Sequence, residues 1–157
     1  MADQKPPKMV AAERATLLGL LQYHRNSICD KVTGLDEAQA RWSPVGSGTS
    51  LRWLLHHLTV AEALWVEYRL AGRDRSVVPD ELVDDDTMAS IVSRYVAQWE
   101  RSATVLETMD LDALAATTDG DDPVNARWVL THLLEETARH AGHADIVREL
   151  LDGSTGR

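Results

Sequence analysis

At 157 residues, with 44% apolar and 26% charged residues, the chain has the size and composition of one soluble domain with a sizeable core. Its formal net charge of −9 repels phosphate backbones and argues against nucleic acid as a general partner. A single cysteine, Cys29, excludes an internal disulfide framework and a cysteine-based zinc site. Phe is absent, so Trp42, Trp53, Trp65, Trp99 and Trp128 must supply most of the aromatic bulk. No stretch approaches the roughly 20 apolar residues of a membrane span. Residues 1–9 are polar and proline-containing without an export signal, so they read as a loose arm on a cytoplasmic protein.

In chain order, residues 10–32 place Leu17, Leu18, Leu20, Leu21, His24 and Ile28 at helical spacing, and Gly34 follows as a stop. Residues 35–42 read as a short helical turn with Asp36 as N-cap, closed by Ser43-Pro44. After the Gly- and Ser-rich residues 45–49, a second long helix starts at Thr49 or Ser50 and runs to about Ala71 before Gly72. Its apolar stripe is Leu51, Leu54, Leu55, Leu58, Ala61, Glu62 and Trp65. His57 sits at the edge of that stripe, whereas His56 points the opposite way, toward solvent.

Residues 72–86 form an acidic linker in which Asp84-Asp85-Asp86 are expected to cap the following helix and complement its dipole. That third helix covers residues 87–109, with Ile91, Tyr95, Val96, Trp99, Ala103 and Leu106 on its apolar side. Residues 110–116 read as a short extra helix and residues 117–123 as a turn-rich loop. A fourth long helix starts at Asn125 and runs to Leu151 before Gly153. The expected architecture is an all-α, up-down four-helix bundle over residues 10–152, with short extra helices in the connections and a tail at 153–157.

Chemistry concentrates at residues 133–148. Glu136 and His140 are four apart, so they share one helix face about a turn from each other, and His143 follows. A carboxylate and an imidazole so placed can grip one divalent cation if a further ligand arrives from elsewhere, and the inward edge of the second helix offers His57. Two histidines and a glutamate suit zinc, nickel or iron. A Glu and a His at this spacing also form an ordinary polar helix edge, and spacing leaves both readings open. Trp53 and Trp128, each near a candidate ligand, read as packing or as walls of a substrate pocket. Cys29 reads as a small buried residue and His24 as a core or cleft residue, while His132 is expected to be exposed. Arg127, Arg139 and Arg148 could meet an anionic cosubstrate or solvent equally well. No nucleophilic triad and no general base beyond the ligands is evident.

The arrangement Leu54-Leu55-His56-His57-Leu58, then Glu62 and Trp65, then far downstream Glu136, His140 and Gly142, resembles the DinB-like (YfiT-like) superfamily of metal-binding four-helix bundles. It looks closest to an uncharacterised actinobacterial-type branch, and the likeness covers roughly residues 10–152. By that resemblance His57, Glu136 and His140 match the three metal ligands, with zinc or nickel as the expected ion. Where many relatives have His-Arg-Gly-Gln, this chain has His140-Ala141-Gly142-His143, so His143 becomes an added ligand or a neighbour that supports one. The resemblance implies a thiol-dependent S-transferase or isomerase using a low-molecular-weight thiol such as mycothiol on a small molecule. A metal-bound water at the same place would support hydrolysis instead. It also admits a homodimer. The alternative is a non-catalytic module that binds metal or small molecules, or serves dimerisation.

Overall fold

The computed structural model describes residues 5–155, and those residues form helices with no β-strand. The helices are α1 (Glu13–Asp30), α2 (Glu37–Arg41), α3 (Leu51–Glu62), α4 (Met88–Leu106) and α5 (Ala126–Asp152). α3 continues without a break into a π-helical segment, Ala63–Leu70, and a 3-10 turn follows at Arg75–Val77. Residues 1–4 of the expected arm and 156–157 of the expected tail lie outside the described residues. Residues 5–12 carry no regular structure, and Met9 lies against Gly19, where a Cβ would come within 2.6 Å of its terminal methyl.

Side-chain caps set the helix starts. Asp36 and Gln39 form a reciprocal capping box at α2. The Ser50 hydroxyl accepts the Trp53 amide at 3.2 Å, Thr87 accepts Ser90 at 3.2 Å, and Asn125 accepts Trp128 at 2.9 Å. Each such bond satisfies an amide that the helix itself leaves unpaired, worth about 1 kcal/mol. Thr87, and not the acidic run before it, is therefore the cap of α4. Asp86 instead accepts the Val83 amide at 3.0 Å and the Arg94 guanidinium at 2.6 Å, which closes the linker on itself and ties it to α4.

α1 packs on α5, and α3 on α4 and α5. Their stripes build two apolar clusters, one around Ile28, Leu54, Leu58, Tyr95 and Ala141, the other around Leu21, Val66, Val105, Leu130 and Leu133. Between the clusters each long helix contributes a buried polar residue: Arg25, Glu62, Gln98 and Thr137. Arg25 and Glu62 form a two-pronged ion pair at 2.8 and 2.7 Å, with side chains only 3% and 0% exposed. Such a pair fixes which faces of α1 and α3 meet, because either partner left alone would be an uncompensated buried charge.

The π segment was not legible as a 3.6-residue pattern. Its hydrogen bonds reach one residue further back than in an α-helix, as in Ala71 N–H donating to the Val66 carbonyl at 2.9 Å. That extra residue per turn brings Glu67, five residues after Glu62, back to a buried position. Glu62 then meets α1, while Glu67 accepts from Gln98 at 2.7 Å and Arg101 at 2.9 Å on α4, and from Arg73 at 2.5 Å.

Two further expectations fail locally. Residues 110–116 are not a helix: Asp110 accepts the Asp112 amide in a tight turn, and Leu114 pairs with Asn125 in an isolated antiparallel bridge. The amides of Ala116 and Thr117 serve the Leu70 and Arg69 carbonyls at the end of the π segment, so they are lost to any helix there. Gly72 makes this docking possible, since its φ is +68° and a Cβ would sit 2.8 Å from that of Ala116. His56, expected to be exposed, is buried (9%), because residues 83–86 fold over that side of α3 and Arg52 donates to the Val83 and Asp86 carbonyls.

Candidate metal centre

Ser50 caps α3 so that Trp53 occupies its first turn and His57 the next, and Asn125 does the same for Trp128 on α5. From these starts two rows with four-residue spacing run along facing helices: Trp53, His57, Ala61, Trp65 and Arg69 on α3 and its π extension, and Trp128, His132, Glu136 and His140 on α5. Ring contacts pair Trp53 and His57 with His140, and Trp65 with Trp128 and His132, so the rows run in opposite directions.

Where the rows meet, Glu136 Oε1 lies 2.9 Å from His57 Nε2 and 3.1 Å from His140 Nε2. One donor atom from each of the three residues falls within 4.8 Å of the others. The side chains are 32%, 14% and 10% exposed for His57, Glu136 and His140, which leaves the group partly open to solvent, chiefly at His57. The sequence-predicted trio is thus brought together. His143, exposed, stays outside it but presents Nδ1 to His140 Nδ1 at 3.3 Å. Trp53 stacks flat on His57, and Arg139 donates to the second oxygen of Glu136 at 3.3 Å.

The electrostatics suit a cation. Burial pulls the His140 pKa below its ordinary value, nearby His57 adds to this, and Glu136 opposes it. Burial pushes the Glu136 carboxyl up, yet hydrogen bonds from His57 and His140 outweigh it and the net shift is downward. A neutral imidazole beside an ionised carboxylate is the protonation pattern that divalent ions require of their ligands. Tetrahedral ligation with bonds near 2.1 Å needs donors roughly 3.4 Å apart, so the two distances to Glu136 need open only slightly. The residues present fit a divalent ion.

Other candidates are occupied elsewhere. Arg127 pairs with Glu13 and Asp112, and Arg148 with Asp152 and the Lys31 and Thr33 carbonyls. His24 is half-buried beside Tyr23. Burial, with Asp30 adding to it, pushes the Cys29 thiol up to about 12, which removes it as a nucleophile. A cavity of about 590 Å³ between residues 5–9 and the outer face of α1 includes no member of the trio in its lining. His132, expected to be exposed, is only 25% so, wedged against Trp128 and Trp65. Its four-residue spacing from both Trp128 and Glu136 was the signal that could have placed it in the seam.

None of the curated proteins compared with the chain matches it. Among solved structures, the chain is similar to a conserved protein from Enterococcus faecalis, with a TM-score of 0.74 and 16% identity over 92% of this chain and all of that one. It is also similar to a DinB-like protein from Bacillus subtilis, with a TM-score of 0.67 and 16% identity over 88% of this chain and 93% of that one. At such identity these likenesses carry the bundle fold alone. The family model described as mycothiol S-transferase matches residues 16–153, nearly the whole bundle and all three converging side chains. The chain belongs to the mycothiol S-transferase family of the DinB-like superfamily.

Proposed function

We propose that His57, Glu136 and His140 hold one divalent cation, zinc or nickel, and that the chain uses it to join mycothiol through its sulfur to a small electrophile. The observation that carries this reading is the convergence of two imidazoles and one carboxylate, from two helices, at the α3–α5 seam. A bound divalent ion supplies the Lewis acidity that lowers the pKa of a thiol and steadies its sulfur. The thiol proton leaves to water, the new S–C bond forms, and the electrophile's leaving group departs with the bonding pair.

The chain's own residues set the geometry. When His140 offers Nε2 to an ion, its Nδ1 carries the proton and donates to His143, which fixes the ring's tautomer and direction. Arg139 holds the Glu136 oxygen that His57 and His140 do not contact. Trp53 covers one face of the His57 ring and keeps water from that side.

Elemental analysis of untagged protein tests the proposal, repeated on His57→Ala and His140→Ala. The expected result is about one ion per chain, lost in both variants, with mycothiol conjugation of monochlorobimane lost on chelation and restored on adding the ion. Conjugation that persists unchanged after complete demetallation overturns it.

A further inference from the structure

The part of the α3–α5 seam that the metal reading leaves unused is aromatic. Trp65 and Trp128 approach to 5.1 Å between ring centroids, and His132 stacks on Trp128 at 4.8 Å and meets Trp65 edge-on at 5.0 Å. The Arg69 guanidinium lies 4.4 Å from the Trp65 ring centroid and is held by Asp121 at 2.5 Å, so this indole is fixed from that side. Trp128 nevertheless remains 44% exposed, although Trp65 and His132 already pack against its ring. Its partner His132 covers one flat face, which leaves ring surface available to a ligand.

We propose that Trp128, backed by Trp65 and His132, is the subsite for the sugar end of the thiol cosubstrate. This rests on the reading of the trio as the seat of the thiol sulfur. Distance selects the ligand part. Trp128 precedes Glu136 by two turns of one helix, about 12 Å along the axis. An electrophile must touch the sulfur, so its reacting portion cannot lie on this shelf. The remote end of the thiol molecule can, and in mycothiol that end is a glucosamine joined to an inositol. The C–H face of such a ring packs on an exposed indole, and its hydroxyls turn to polar neighbours. Such neighbours are present: His132 offers Nδ1 with Glu135 3.7 Å from it, and Glu135 is exposed at the rim. On the α3 side, the residue between His57 and Trp65 in the row is the small Ala61, so no bulky α3 side chain stands between shelf and trio.

The test uses the full chain and two probes. Titration with glucosaminyl-inositol, which lacks the cysteine, is followed through the indole N–H signals. The expected result is shifts at Trp128 and Trp65 but not at Trp42 or Trp99, with affinity about tenfold weaker in Trp128→Ala and largely restored in Trp128→Phe. No shift at Trp128 in the unmodified protein overturns the proposal, as does equal affinity in Trp128→Ala. Separately, N-acetylcysteine is titrated into cobalt-loaded protein, where sulfur-to-cobalt absorption reports on the trio, and Trp128→Ala is expected to leave that affinity unchanged. A missing cobalt band beside intact Trp128 shifts removes the thiol reading and keeps the sugar subsite, so the two failures are told apart.

Discussion

Trp53 and His57, one turn apart on α3, stack with ring centroids 4.9 Å apart and planes within 10° of parallel. The indole therefore restricts how the imidazole can turn, and a ligand pre-aligned in this way loses less freedom when it takes an ion. Trp53→Ala is expected to weaken metal affinity about 2- to 13-fold, the range that ~0.5–1.5 kcal/mol of ring stacking corresponds to, while Trp53→Phe keeps most of it. Competition with a chromogenic chelator measures this. Equal affinity in all three proteins would mean that the stack is incidental.

His143 reaches the trio only through His140. His143→Ala is expected to lower metal affinity about 10- to 100-fold, and His143→Gln, which keeps an acceptor, less. In contrast, His140→Ala should abolish stoichiometric binding. A His143→Ala protein that also loses the ion outright would make His143 a direct ligand.

The Arg25–Glu62 pair invites a double-mutant cycle. Arg25→Met or Glu62→Leu alone leaves a buried charge unpaired and is expected to cost about 3–5 kcal/mol. The double variant should recover most of that loss, since the site is then apolar and nearly filled. Urea midpoints of the four proteins give the coupling; additive losses would show that the pair does not act as a unit.

Glu67 links stability to pH. Burial pushes its carboxyl up, but hydrogen bonds from Gln98, Arg101 and Arg73 outweigh this and leave it below the usual value of 4.5. A carboxyl that is more acidic folded than unfolded stabilises the protein fully above the unfolded pKa, and that stability is lost as pH falls through the folded one. Glu67→Gln should therefore be clearly less stable than the unaltered chain near pH 7, with the gap closing below about pH 4.5. A gap that stays constant down to pH 3 would contradict the assignment.

Cys29 should react slowly with a disulfide reagent at pH 8, because burial holds its thiol near 12. Adding denaturant should bring the rate to that of free cysteine. Fast labelling of the folded chain would refute its packing against the core.

Much of this was legible in the residues. Asp36, Ser50 and Asn125 announce their helices because a short polar side chain before an apolar stripe has one good use. His57, Glu136 and His140 could be picked out because stripe edges are where polar side chains face a seam. What escaped was set by contacts between distant segments. The α-periodicity of residues 51–71 hides the π turns, which depend on Glu62 and Glu67 finding partners on different helices. Residues 110–116 have helix-forming composition, but their amides are claimed by the carbonyls ending the π segment. His56 and His132 were misjudged because a wheel drawn for one helix cannot show a linker or an indole lying across it.

The widened turns at Ala63–Leu70 also make this stretch sensitive to length. Removing one residue there would let the backbone relax to ordinary α-helix, but it would swing Glu67 and Arg69 away from α4 and the Trp65 ring together. Gain or loss of a single codon at this point should therefore be tolerated far less well than the same event in residues 45–49 or 117–123, although none of the three stretches contributes a member of the trio.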